Sequence, residues 1–170
     1  MLFRSSDVMA STTKNRNSTL NSMRALVSAQ EGRFTETRNL LVSPISRTTS
    51  QEYRGFFGNY GVKLAKSMLS LEAGDRETTI NTLQEAADQA LESRNWVIYV
   101  GMLGRLSYLM ILDGDKEGAL NYIALARDCI DKQDLSQELH ASVDIWETRV
   151  RYFVKDYDRA NELMKRSRTS

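Results

Sequence analysis

Leu112-Asp113-Gly114-Asp115-Lys116-Glu117-Gly118-Ala119-Leu120 decides the fold, because the chain carries nearly the same phrase three more times. The other copies are Glu31-Gly32-Arg33-Phe34-Thr35-Glu36-Thr37, Ala73-Gly74-Asp75-Arg76-Glu77-Thr78-Thr79 and Val154-Lys155-Asp156-Tyr157-Asp158-Arg159-Ala160, at steps of 42, 40 and 41 residues. Self-similarity at such a period marks a repeat architecture, in which no unit buries its apolar face alone. Each copy reads as a turn between two helices. Glycine supplies the left-handed conformation that ends the first helix, and the aspartate after it caps the second. Arg33 and Lys155 are the weaker punctuation of the two terminal copies.

With Gly32, Gly74, Gly114 and Lys155 as a common origin, the copies align in columns. Twelve residues before it stand Leu20, Val62, Met102 and Val143, and five before it Val27, Leu69, Leu109 and Val150. These columns are seven apart, hence on one helical face, and all eight are expected in the core. Seven before the origin stand the small residues Ala25, Ser67, Ser107 and Thr148, where two helices can approach closely. Five after it come Thr37, Thr79, Ala119 and Ala160, again small, and nine after it Leu41, Leu83, Ile123 and Met164, again large. Ala86 and Ala126 add a further small position.

The expected class is all-α. Pro44 is the only proline, and strand-like runs are missing apart from Trp96 to Val100, which continues into a helical pattern. Eight helices are expected, over residues 18–31, 35–42, 51–73, 76–93, 96–113, 116–132, 136–154 and 157–166. Residues 1–14 read as a polar N-terminal segment and 15–170 as one repeat domain, with a joint over 43–50.

The columns resemble the tetratricopeptide repeat, over four copies from Leu20 to about Met164. Ala119, Ile123 and Ala126 match the small, large and small positions of that family's second helix. Two departures stand beside the match: the steps are longer than usual, and the aromatic at the start of the first helix is missing. The resemblance implies a right-handed superhelix of about four antiparallel helix pairs, a TPR-like α-solenoid. It also implies a concave groove lined from positions thirteen, ten, six and three before the turn. Carried onto this chain, these give Gly61, Leu64, Met68 and Leu71, then Gly101, Gly104, Tyr108 and Ile111, and finally Arg149 and Tyr152. Such a trough is mostly apolar and suits a peptide or helix, unless it is the core of a tightly wound superhelix. Gly55, Gly58 and Gly61 beside Tyr53, Phe56, Phe57 and Tyr60 invite the same two readings.

Chemistry is sparse. Basic and acidic residues nearly cancel, 23 against 22, which gives no reason to expect nucleic acid or an anionic membrane surface as partner. No apolar run is expected to approach the ~18 residues of a membrane span. His140 is the single histidine and reads as an exposed or partly packed helix residue, while Cys129, the single cysteine, reads as a small buried hydrophobe. One cysteine forms no internal disulfide, and a reducing, cytoplasmic setting is the default. The glycines close helices one at a time and form no phosphate loop. Neither a catalytic constellation nor a cofactor or metal site is expected, so the chain does not read as an enzyme. Lys165-Arg166-Ser167-Arg168 is expected to offset the last helix dipole rather than to bind phosphates.

The leading expectation is a non-catalytic protein-interaction scaffold. The alternative is the effector-binding repeat region of a bacterial ATP-dependent transcription regulator, which Glu52-Tyr53-Arg54-Gly55-Phe56-Phe57 resembles in composition. No further polar helix follows the eighth, so homodimerisation through that end, or continuation in a longer chain, is also expected.

Overall fold

The computed structural model describes residues 20–42 and 58–167, which form eight helices and no strand. The joint over 43–50, the segment 1–14 and the residues Tyr53, Gly55, Phe56 and Phe57 lie outside the described residues. The helices are α1 (20–30), α2 (Phe34–Val42), α3 (Gly58–Glu72), α4 (Arg76–Glu92), α5 (Trp96–Asp113), α6 (Lys116–Lys132), α7 (Gln137–Phe153) and α8 (Tyr157–Ser167). The class is all-α, and Trp96 to Val100 is helical as expected.

The turns carry the repetition in their backbone. Gly32, Gly74 and Gly114 have φ of 74°, 77° and 78°, and Lys155, the non-glycine member of the column, has 68°. At each copy the same pair of hydrogen bonds closes the helix. The Gly114 N–H donates to the Ile111 carbonyl at 3.1 Å and the Asp115 N–H to Met110 at 2.9 Å, while Lys155 and Asp156 donate to Tyr152 and Arg151 at 3.1 and 2.8 Å. This satisfies carbonyls that a helix end leaves without partners. The aspartates then cap the next helix: Asp75 Oδ1 accepts from Thr78 N at 3.0 Å, Asp115 Oδ1 from Gly118 N at 2.9 Å and Asp156 Oδ1 from Arg159 N at 3.3 Å. Two further left-handed residues, Arg94 and Asp134, end α4 and α6. Asn95 then caps α5 through Ile98 N at 3.3 Å.

Packing divides the chain between Thr82 and Leu83, inside the continuous helix α4, into two compact units. Nothing in the expectation of one domain over 15–170 foretells that division. In the first unit Ala25, Ala29 and Ala65 form a small-residue core, with Leu40, Leu41 and Met68 packed against it. Thr37 and Thr79 are buried, and the Thr79 hydroxyl donates to the Asp75 carbonyl at 2.7 Å. In the second unit Val100, Leu103, Ala126, Cys129, Ile130 and Val143 form one cluster, and Ala119, Ile123 and Val150 another. Trp146 packs against both.

The two apolar columns are buried in the second unit, while Val62 and Leu69 of the first are half-buried. Met102, Leu109, Val143 and Val150 are buried, as are Ala119, Ala160, Ala86 and Ala126. Leu20 and Val27 are corrections: both are exposed, because no described residue stands against that side of α1. In the last copy Leu163 is buried and Met164 exposed, so the large position shifts by one residue. A third correction concerns α5, which is long and apolar enough by length and composition to cross a membrane. Val100, Met102, Leu103, Leu106 and Leu109 are nevertheless turned into the core of the second unit.

Candidate functional site

The ten positions carried over from the family pattern do not share one environment. In the first unit Gly61 and Leu64 are buried, and Met68 packs on the alanine core beside the half-buried Leu71. A Cβ at Gly61 would lie 3.6 Å from the Ser22 carbonyl oxygen, so this glycine faces α1 at ordinary contact distance. Gly104, in the second unit, is buried as well, and a Cβ there would overlap the indole of Trp146. These are packing positions. By contrast Tyr108 is 45% and Tyr152 65% exposed, Arg149 is exposed, and nothing lies within 4 Å of a Cβ added at Gly101. Ile111 is half-buried against the cluster of Ala119, Ile123 and Val150.

Helix geometry explains how the second unit gathers the exposed set. The Gly104–Trp146 contact marks the seam between α5 and α7, which pack against one another. One helix and two short turns separate them, so α5 and α7 run in the same direction. At about 100° per residue, Val97, Tyr108, Gly101, Leu112 and Arg105 fall between about 20° and 100° to one side of Gly104. From Trp146, Arg149, Ile145 and Tyr152 fall between about 60° and 120° to the other hand. On parallel helices those two sectors lie on the same side of the seam. The result is an exposed face with Val97, Tyr108, Leu112, Ile145 and Tyr152 as its large apolar members, all at least 40% exposed. Tyr152 also meets Tyr157 edge to face, with ring centroids 5.1 Å apart.

The rotation of α7 that presents this face is fixed from behind by charge. Asp144 and Glu147 sit eleven and eight residues before the origin, the columns that α5 fills with the buried Leu103 and Leu106. Their side chains are only 3% and 5% exposed. Arg166 of α8 grips both oxygens of Asp144, with Nε donating to Oδ2 at 2.6 Å. Arg127 of α6 donates to Asp144 and, through Nε, to Glu147 Oε2 at 2.8 Å. Arg151 donates to Glu147 Oε1 at 3.2 Å and Arg159 approaches the same oxygen at 3.8 Å. Buried ionic clusters of this kind are weak evidence for added stability, yet removing one partner is costly because it leaves the other charge buried and unpaired.

Burial alone would push the Asp144 carboxyl up, and the hydrogen bonds from Arg166 and Arg127 with their charges outweigh it, holding Asp144 below the ordinary carboxylate range. Arg166, expected as a cation that offsets the dipole of its own helix, also bridges α8 to α7. Beside the network lies a polar concavity of about 500 Å³ bounded by Arg127, Asp131, His140, Asp144, Arg159 and Arg166. Within it Arg127, Arg159 and Arg166 are engaged with Asp144 and Glu147. Sequence reasoning passed over this cluster, although acids in two columns otherwise apolar in the preceding repeat were a usable signal.

Cys129 is 7% exposed, and burial pushes its thiol up, with the nearby Asp128 adding to the effect. Among the described residues no group of three or more His, Cys, Asp or Glu side chains is placed to hold a metal ion. No protein-family model matches the sequence, no curated protein matches it, and no solved structure matches the fold.

Proposed function

We propose that the chain is a non-catalytic protein-interaction scaffold of TPR-like helical pairs, and that the face over the α5/α7 seam docks a peptide or helix of a partner protein. The carrying observation is the exposed set of Tyr108, Ile145 and Tyr152 on the face that also carries the open space at Gly101. Tyrosine and arginine are among the residue types that dominate binding energy at protein interfaces. A bare glycine on the same face lets a ligand approach the helix backbone there. The four left-handed turns at a period of about 40 residues support the repeat architecture behind this reading. A superhelix of four such pairs belongs to the same proposal, as does a reducing, cytoplasmic setting for its one thiol.

The test is a displayed peptide library selected on the full chain and counter-selected on Gly101→Trp, which fills the open space. Enriched sequences that bind the parent chain and lose affinity for the variant, with helicity unchanged by circular dichroism, support docking at this face. Peptides that bind both proteins equally would move the interaction elsewhere.

A further inference from the structure

The two cations of the α5/α7 face, like Arg94, differ from the four arginines of the second unit that hold carboxylates. Arg127, Arg151, Arg159 and Arg166 each meet at least one carboxylate. Arg105 and Arg149 meet none among the described residues. On their own helices Asp113 and Glu138 stand eight and eleven residues away, at the helix ends. No Asp or Glu occurs between Trp96 and Leu112, and the only acids between Leu139 and Phe153 are Asp144 and Glu147, which are buried on the far side of α7 in the network. Arg105 follows Gly104 by one residue and Arg149 follows Trp146 by three, so at ~1.5 Å per residue the two stand at nearly the same level across the seam. Solvent reaches the Arg105 side chain, yet surrounding protein is close enough that burial pulls its guanidinium below the ordinary range. That cost is offset by no anion among the described residues.

We propose that the occupant of this face is an acidic amphipathic helix, whose carboxylates pair with Arg105 and Arg149 while its apolar side chains lie against Val97, Tyr108, Ile145 and Tyr152. The inference rests on the docking reading above and adds the chemistry of the partner to it. Arginine suits the role because its planar fork holds a carboxylate through two hydrogen bonds and stacks on neighbouring tyrosine rings. An apolar surface with two uncompensated cations discriminates by charge: a basic helix of equal hydrophobicity meets repulsion at the same two points.

The experiment uses the full chain and three synthetic helical peptides that share one apolar strip and carry Glu, Gln or Lys at the flanking positions. Affinities are read by fluorescence anisotropy at low and physiological salt, with anionic lipid vesicles as a fourth probe. The Glu peptide is expected to bind about ten-fold tighter than the Gln peptide, with the Lys peptide weakest and the gap narrowing as salt rises. In the double variant Arg105→Gln, Arg149→Gln the three peptides should converge on the affinity of the Gln peptide. Equal binding of the Glu and Lys peptides would overturn the acidic partner while leaving the docking face in place. Binding of no peptide by the folded chain would overturn the docking reading itself, and binding to vesicles in preference to the Glu peptide would replace a protein partner with a membrane surface.

Discussion

Gly104 lies directly beneath the indole of Trp146, so that the two residues set how closely α5 and α7 approach. Gly101, one turn earlier on α5, has nothing within 4 Å of the position a side chain would take. Two glycines three residues apart on one helix thus have opposite reasons to be there.

Gly104→Ala should destabilise the protein by about 1–3 kcal/mol, because the added methyl must displace a packed ring. Gly101→Ala should leave stability unchanged or raise it by up to ~1 kcal/mol, the usual difference between these residues inside a helix. Urea unfolding midpoints of the two variants read both effects. Equal shifts of the same sign would contradict the assignment.

Lys155 takes the left-handed conformation that glycine takes in the other three copies. Lys155→Gly should therefore stabilise the α7–α8 turn by about 0.5–1 kcal/mol, and Gly114→Ala should cost about 1–2 kcal/mol for the reverse reason. A thermal scan is sufficient. A lower melting temperature for Lys155→Gly would mean that its side chain contributes more than its backbone costs.

Asp144 has its carboxyl held below the ordinary range in the folded state. A depressed carboxylate contributes stability that is present above its unfolded value, about 3.9, and is lost as pH falls through the folded value. Stability should thus decline below about pH 4, and Asp144→Asn should flatten that decline while costing about 3 kcal/mol at neutral pH. Denaturant titrations at pH 3 and pH 7 measure both. The Asp144–Arg166 coupling energy should be near 1 kcal/mol, since the arginine side chain is 52% exposed.

Cys129 should resist alkylation in the folded protein, because its thiol is buried and its thiolate disfavoured. Labelling by iodoacetamide at neutral pH should accelerate in step with denaturant-induced unfolding. Rapid labelling of the native chain would show that α6 opens locally around this residue.

The periodic phrase around Gly114 placed the helix boundaries well because turn chemistry is local: a left-handed residue and a capping aspartate declare themselves in a few positions. Alignment by the same origin located Ala25, Ala119 and Ala126 in the core for a related reason, since small residues at fixed offsets leave few alternatives. It failed where the outcome depends on a neighbour. Leu20 and Leu109 belong to apolar columns on the same face, and only Leu109 has a helix standing against it. Tyr108 and Arg149 of the candidate face were legible as groove positions, while Gly104 was not separable from Gly101, because the residue that distinguishes them, Trp146, arrives 42 positions later in the chain. The Asp144 network was missed for a simpler reason. Charged residues in a helix are ordinarily solvated, and their burial depends on arginines from two other helices.

The ionic back of α7 has a consequence for the last helix. Of the α8 side chains, Ala160 and Leu163 are buried, and much of the remaining attachment runs through Arg159 and Arg166 to Glu147 and Asp144. Peeling α8 away would uncover charged groups that water receives readily and little oily surface that would stick to other molecules. The final hairpin is therefore the region best suited to open and close reversibly, and amide hydrogen exchange should reach α8 well before it reaches α5.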